Sequence, residues 1–154
     1  MNHRKPGVIG AVRDSYQCHA ELICDGVHIH PSVIRATFAM LGAGRIILIS
    51  DSMRATGLED GEYTLGGQPV VVKGDGTIAG SATNLMDCLR YVVKKAGISL
   101  ETAVMCATEN PAKEIGIYDK VGSISVGKQA DFVLIDEELN IKRVYIDGNR
   151  LYCG

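Results

Sequence analysis

The chain has 154 residues, of which 46% are hydrophobic and 22% charged, values typical of one globular domain with a buried core. A formal net charge of −2 excludes the basic surface that nucleic-acid binding needs. The apolar runs are too short to cross a bilayer, and the N-terminus lacks the apolar segment of a signal peptide. Five cysteines without a CxxC pair predict reduced, mostly buried thiols in a cytoplasmic protein.

The first half of the chain alternates between strand and helix. Residues 20–26 form a short apolar run that predicts a strand, and helical spacing of apolar residues follows over 30–42. A second buried strand is predicted over 45–51. Because a strand, a helix and a strand pack naturally as a parallel pair, Asp25 and Asp51 should both lie at the carboxyl edge of the sheet, where α/β proteins bind ligands.

The middle of the chain changes from this pattern. Residues 61–82 contain a Gly-Gly turn between alternating short strands, which predicts a β-hairpin insertion. Helices are predicted over 84–97, with Asn84 as a cap, and over 99–116, where Pro111 should end or kink the second one.

The tail, residues 122–154, is β again, with strands in ADFVLID and IKRVYIDG. Asp147-Gly148 is a hairpin turn between the last two strands. The β/α units are too few to close a barrel by themselves. The chain is therefore either a small open fold or part of something larger.

Asp51 ends a buried strand, and its position alone leaves two interpretations open. The carboxylate is either a cap for the loop SMRATG or a catalytic group.

Five motifs, in order along residues 2 to about 150, carry a family resemblance: HRKPGVIGA, ELICDGVHIHP, ILISDSMRATG, DGTIAGSA and ATENPAKEIGI…GSISVGKQADFVLID. They resemble the C-terminal half of the N-acetylglucosamine-6-phosphate deacetylase family, within the amidohydrolase superfamily. The last motif identifies only the superfamily, whereas the second and third are much more specific. The resemblance implies an α/β fold: the C-terminal part of a (β/α)8 barrel over 1–118, with a hairpin excursion at about 61–79, and the C-terminal strands of a small β-sandwich over 119–154.

The resemblance also implies site residues. Asp51 matches the aspartate that serves as general base and then general acid in metal-dependent amide hydrolysis. Arg4 matches an arginine that binds the sugar phosphate, although this chain has Lys5 where the family usually has glutamate. His30 should be a helix N-terminal residue and not a ligand. The substrate-binding residues implied in this way are Arg4, Asp25, Gly26, Val27, His28, Ile78, Ala79 and Gly80.

A divalent metal, zinc or similar, belongs to the family's full-length enzymes, where a glutamate and two histidines hold it upstream of the first motif. His3 and His19 lack the spacing of a closed metal site, so no metal ligand is predicted in this chain. We therefore expect little or no turnover from the chain alone. The family resemblance further implies a homodimer or other homo-oligomer and a small sugar phosphate as ligand.

Three functions remain open at this point. The first is hydrolysis of N-acetylglucosamine 6-phosphate to glucosamine 6-phosphate and acetate. The second is hydrolysis of another N-acyl amino sugar or of a cyclic amide. The third is a non-catalytic role, in which the chain binds sugar phosphate or self-associates.

Overall fold

The computed structural model describes residues 2–52, 61–65, 68–72 and 83–153. The chain divides into two compact units, Met1–Ala107 and Thr108–Gly154. Each unit contains both helices and strands. The assignment of 1–118 to a barrel and 119–154 to a sandwich stays a prediction, because the division into units does not identify either domain.

The first unit follows the predicted order of strands and helices. The helix α1, over Gly7–Asp14, was not predicted. Residues 73–79 of the predicted excursion lie outside the described residues, but a hairpin is present before them. The remaining elements are β1 (Ala20–Ile23), α2 (Pro31–Leu41), a 3-10 turn (Ala43–Arg45), β2 (Ile46–Ile49), β3 (Gly61–Leu65), β4 (Gln68–Val72), α3 (Leu85–Lys94) and α4 (Leu100–Ala107).

The strands β1 and β2 pair in parallel, as the strand–helix–strand pattern predicts. Ala20 lies opposite Ile46, and the register continues without a shift to Ile23 opposite Ile49. The chain therefore leaves both strands at the same edge of the sheet. Continuing the same register along the sequence matches Asp25 with Asp51.

The core of the first unit forms where helices cover β2. Residues 46–48 of this strand are buried, and α3 and α4 both pack against it and against each other. The helix α2 contributes apolar side chains at helical spacing: Ile34, Phe38 and Leu41. The side chain of Asn84 accepts a hydrogen bond from the Asp87 N–H at 3.0 Å, which confirms the predicted cap of α3.

Arg45, just before β2, holds the segment between α1 and β1. Its guanidinium donates hydrogen bonds to the backbone carbonyls of Ser15 at 2.8 Å, Cys18 at 2.9 Å and Arg13 at 3.3 Å, and also to that of Val12. Carbonyls at the end of a helix lack partners within the helix, and a cation there also favours the helix dipole. The Arg45 side chain thus binds carbonyls at the C-terminal end of α1 and connects this end to the start of β2.

The helical segment predicted over 99–116 is interrupted. The helix α4 ends at Ala107, and a new helix, α5, covers Glu109–Glu114. Pro111 has no N–H to bond to the carbonyl of Ala107 four residues earlier, and its ring crowds that carbonyl. The prediction that Pro111 ends or kinks the helix is confirmed, with the break four residues before the proline.

In the second unit, α5 precedes a three-stranded antiparallel sheet in the order β5 (Phe132–Ile135), β6 (Ile141–Ile146), β7 (Asn149–Cys153). Asp147 and Gly148 both have positive φ, +49° and +74°, as a type I′ hairpin turn requires. This confirms the predicted turn. In the described part of the chain, no helix has the length and apolar character that crossing a membrane would need.

Candidate active site

The loop after β1 is organised by one carboxylate. Asp25 Oδ1 accepts hydrogen bonds from the backbone N–H groups of Val27 and His28, both at 3.0 Å, and Oδ2 lies 2.7 Å from His28 Nδ1. The Asp25 side chain is only 3% exposed, whereas that of His28 is 20% exposed. A carboxylate facing Nδ1 favours a proton on that nitrogen. The other ring nitrogen, Nε2, is then left to contact a ligand.

The Asp25 carboxylate is held in its charged form. Burial alone would raise its pKa, but the hydrogen bonds from the backbone of His28 and Val27 and from the His28 side chain outweigh burial. The pKa of Asp25 therefore lies below its ordinary value. Its oxygens are engaged with the loop, so this carboxylate is suited to hold His28 and is poorly suited to accept a further proton at neutral pH.

Gly26 lets this loop approach α3. Its φ is +87°, a conformation that side chains with a Cβ rarely adopt. A Cβ at this position would lie 2.5 Å from Cε2 and 2.9 Å from Cζ of the Tyr91 ring. The Tyr91 ring on α3 therefore occupies the space beside the Gly26 backbone, and only glycine fits there.

Asp51, after β2, has a different environment. It is exposed, and its φ of +51° puts it in the left-handed region. On either side of it, the hydroxyls of Ser50 and Ser52 hydrogen bond at 2.7 Å, and Ser52 Oγ is also 2.7 Å from the Thr83 carbonyl. These contacts tie the Asp51 backbone to the segment just before α3 and leave the carboxylate exposed to solvent.

Three fully buried thiols lie in the same unit, on Cys24, Cys88 and Cys106. Burial is the main cause that raises the pKa of Cys24 to about 12 and those of Cys88 and Cys106 to about 11. At neutral pH these thiols are protonated and therefore poor nucleophiles. The prediction of reduced, mostly buried thiols is confirmed for these three, whereas Cys18 is exposed.

The other predicted site residues fall in several places. Arg4 lies in a tight exposed turn before α1, in which Asn2 and Lys5 form a β-bridge. His30 is the N-cap of α2 and accepts a hydrogen bond from the Ser32 N–H at 3.2 Å, which confirms its assignment as a helix N-terminal residue. The structure brings one group together in a single loop: Asp25, Gly26, Val27 and His28. Ile78, Ala79 and Gly80 lie outside the described residues.

The described ranges contain few clustered metal-ligating side chains. Within them, no group of three or more histidine, cysteine, aspartate or glutamate residues could hold a metal ion. Asp25 and His28 hydrogen bond to each other within their loop. The described residues by themselves therefore do not fit a closed metal site.

Two contacts of the site were not predicted from the sequence. The Tyr91 ring lies beside Gly26, and the Ser52 hydroxyl donates a hydrogen bond to the Thr83 carbonyl. Both contacts join residues that are distant along the chain. The Asp-Gly pair at 25–26 was a usable signal for a tight turn. No comparable sequence signal identifies Tyr91 as the residue whose ring lies beside this turn.

This chain belongs to the amidohydrolase family, whose model matches residues 13–151. The family match and the solved relatives confirm the predicted α/β class, a barrel part with sandwich strands. The N-acetylglucosamine-6-phosphate deacetylase of Thermotoga maritima superimposes with a TM-score of 0.89 at 34% identity, over 99% of this chain and 44% of that one. A mutant N-acetyl-D-glucosamine-6-phosphate deacetylase from Mycobacterium smegmatis, solved with N-acetyl-D-glucosamine-6-phosphate, superimposes with a TM-score of 0.86 at 33% identity, over 97% of this chain and 42% of that one.

Curated relatives agree with the resemblance drawn from the motifs. The N-acetylglucosamine-6-phosphate deacetylase of Bacillus subtilis is 40% identical over 97% of this chain, which covers 39% of that protein. A putative N-acetylgalactosamine-6-phosphate deacetylase of Escherichia coli K12 is 34% identical over 96% of this chain, which covers 92% of that protein. Except for the latter, the chain spans about two fifths of the length of these relatives.

Proposed function

We propose that this chain supplies part of the active site of an amino-sugar phosphate deacetylase, which hydrolyses N-acetylglucosamine 6-phosphate to glucosamine 6-phosphate and acetate. One observation carries the proposal. Two aspartates follow matched positions of two parallel strands, and one of them is exposed while the other is bonded to a histidine. Ligands of α/β folds bind at this edge of the sheet.

Asp51 is the proton-transfer group in this proposal. Its exposed carboxylate would take a proton from the water that attacks the acetamide carbonyl. The C–N bond then breaks, and the same carboxyl group would return the proton to the departing amine. The Ser52 bond to the Thr83 carbonyl supports the role, because it fixes the backbone on which Asp51 stands.

The Asp25–His28 loop would bind the sugar. With its Nδ1 engaged by Asp25, the His28 ring keeps one orientation and offers Nε2 to the substrate. Val27 is 56% exposed in the same loop and could contribute an apolar contact. Arg4 would bind the phosphate, since a guanidinium matches phosphate geometry. The backbone of residues 78–80 would complete the binding surface.

A divalent metal, zinc or similar, is part of the proposal for the whole site, with its ligands outside this chain. The described residues by themselves do not fit a metal centre, so the roles proposed for Asp51, His28 and Arg4 are those of this chain's own side chains. A homodimer or other homo-oligomer and a cytoplasmic location are proposed on the family resemblance.

One observation favours a second substrate. The E. coli K12 relative of similar length, of which this chain covers 92%, is named for the galactose epimer of the sugar. N-acetylgalactosamine 6-phosphate is therefore the alternative substrate. A non-catalytic sugar-phosphate binder is the alternative for the chain alone.

The test is acetate release from both epimers by the purified chain with zinc supplied. It is repeated with a chimera in which this chain replaces the matching segment of the B. subtilis relative. We expect little turnover from the chain alone and measurable turnover from the chimera. Asp51→Asn in the chimera should lower kcat about 10²–10⁴-fold, the usual contribution of a general acid–base group.

The matched control is Asp119→Asn, which removes an exposed carboxylate from the second unit and should leave kcat unchanged. An active chimera that tolerates Asp51→Asn would overturn the role given to Asp51. Turnover by the chain alone that depends on Asp51 would overturn the assignment of the metal ligands to residues outside it.

A further inference from the structure

We propose that Tyr91 is a positioning residue, whose ring holds the Asp25–His28 loop in the conformation that orients the His28 imidazole. The use of His28 in binding substrate rests on the proposed function. The effect of Tyr91 on the orientation of the His28 imidazole does not.

The contact is with the loop backbone. Three ring atoms of Tyr91 lie within 3.1 Å of the position that a Cβ on Gly26 would occupy, closer than any other atom outside Gly26 and its two chain neighbours. The ring therefore fills the space beside the Gly26 backbone where a side chain would otherwise project. Because Gly26 has a φ of +87°, its conformation is one that the chain would readily leave without such a neighbour.

The hydrogen bonds of the loop depend on this conformation. Asp25 Oδ1 binds the N–H groups of the next two residues after Gly26, and Oδ2 binds the His28 ring. A rotation at Gly26 would turn those N–H groups away from Oδ1. The 2.7 Å contact between Asp25 and His28 Nδ1 would then be lost as well, and the imidazole would no longer have one preferred orientation.

The helix that carries Tyr91 is a firm support. Its Asn84 cap is in place, and Cys88, Leu89 and Val92 on α3 are buried. The helix packs on β2, the strand that leads to Asp51. Tyr91 thus connects the loop after β1 to the helix that lies against the strand before Asp51.

A plain packing role and a positioning role differ in what they do to His28. Loss of packing alone lowers the free energy of unfolding, but in the molecules that remain folded the proton distribution on the His28 ring is unchanged. Loss of positioning changes the proton distribution between the two ring nitrogens of His28 in the folded protein.

The experiment measures that distribution in the 154-residue chain by long-range ¹H–¹⁵N correlation of the histidine rings. The chain has four histidines, so the His28 signals are identified by their loss in His28→Gln. We expect the native chain to show His28 with its proton on Nδ1. In Tyr91→Ala the Nδ1–H fraction should fall and the shifts of the two ring nitrogens should converge, whereas Tyr91→Phe, which keeps the ring, should retain the native pattern.

The matched control is Leu89→Ala, which removes a buried apolar side chain from the same helix. It should lower the midpoint of urea unfolding and leave the His28 shifts unchanged. If Tyr91→Ala does not fold, Tyr91→Leu, which keeps more apolar volume but no ring, provides the same measurement.

The proposal fails if His28 keeps the native pattern in a folded variant without the ring, or if Leu89→Ala changes it equally. Addition of N-acetylglucosamine 6-phosphate to the native chain tests the proposed function separately. An unchanged His28 signal at saturating sugar phosphate would count against substrate binding by His28, but it would leave the effect of Tyr91 on the ring intact.

Discussion

The loops after β1 and β2 start from matched positions of two paired strands but use their aspartates in opposite ways. Asp25 is 3% exposed and both of its oxygens accept hydrogen bonds from its own loop. Asp51 is exposed, and the hydrogen bonds beside it belong to its serine neighbours. A carboxylate saturated by local donors fixes geometry, whereas an exposed one can exchange protons. The comparison supports an orienting role for Asp25 and a chemical role for Asp51.

The largest expected effect on stability comes from Gly26→Ala. The new methyl group would meet the Tyr91 ring at 2.5 Å and would also require a strained φ. We expect a loss of about 3 kcal/mol in the free energy of unfolding, measured with urea. The control is Gly97→Ala, where φ is +73° and no atom lies within 4 Å, so that strain alone should cost about 1 kcal/mol. Equal losses at both positions would show that the ring contact is unimportant.

The two aspartates themselves provide the next test. Asp25→Asn keeps the size of the side chain but removes the charge that three donors share, so stability should fall by about 2 kcal/mol. Asp51→Asn alters an exposed side chain and should change stability by about 0.5 kcal/mol or less. Urea unfolding of both variants at neutral pH measures the difference. A larger loss of stability from Asp51→Asn than from Asp25→Asn would contradict the assignment of the orienting role to Asp25.

Acid should weaken the contribution of Asp25 selectively. Its pKa in the folded chain lies below the ordinary value of 3.8, so the stabilisation it provides is present above that value and is lost as the pH falls through the folded pKa. The difference in the free energy of unfolding between the native chain and Asp25→Asn should therefore become smaller below about pH 4. Asp136, whose pKa is lowered to about 2, affects both proteins alike and cancels in the difference. A gap that stays constant down to about pH 2 would contradict this account.

Ser52→Ala should have a smaller effect on stability than Gly26→Ala or Asp25→Asn. The variant loses the bonds to Ser50 and Thr83, both 2.7 Å long, and should be less stable by about 1 kcal/mol. In the active chimera its kcat should fall while KM stays close to the native value, because the Asp51 backbone is less firmly held. Ser125→Ala is the control, since its exposed hydroxyl has only a 3.5 Å contact with Ser123. A loss of stability without a change in kcat would restrict Ser52 to a structural role.

The sequence predicts the positions of Asp25 and Asp51 because they depend on local patterns. Each follows a short apolar run, and parallel pairing of those runs is enough to bring both to one edge. Asn84, Pro111 and the Asp147-Gly148 turn were predictable for the same reason, since each acts within a few residues of its own position.

The contacts that the sequence does not predict join distant segments. Tyr91 meets Gly26, and Arg45 meets carbonyls about thirty residues earlier, with separations of 27 to 33 residues. Such contacts depend on packing and have no local pattern. The helix α1 was missed for another reason: it has only eight residues and contains Gly7 and Gly10, and glycine disfavours a helix.

The hydrogen bonds of Arg45 have a consequence for how this chain tolerates sequence change. All of its acceptors are main-chain oxygens, which every amino acid possesses. The residues that supply them can therefore be exchanged without loss of an acceptor, while the residue at position 45 cannot, because lysine offers no planar fork for several carbonyls. In a library of single substitutions, many amino acids should be tolerated at residues 12–18 and few at position 45. The contact between the two segments would therefore be detected by substitutions at position 45 and not by substitutions at residues 12–18.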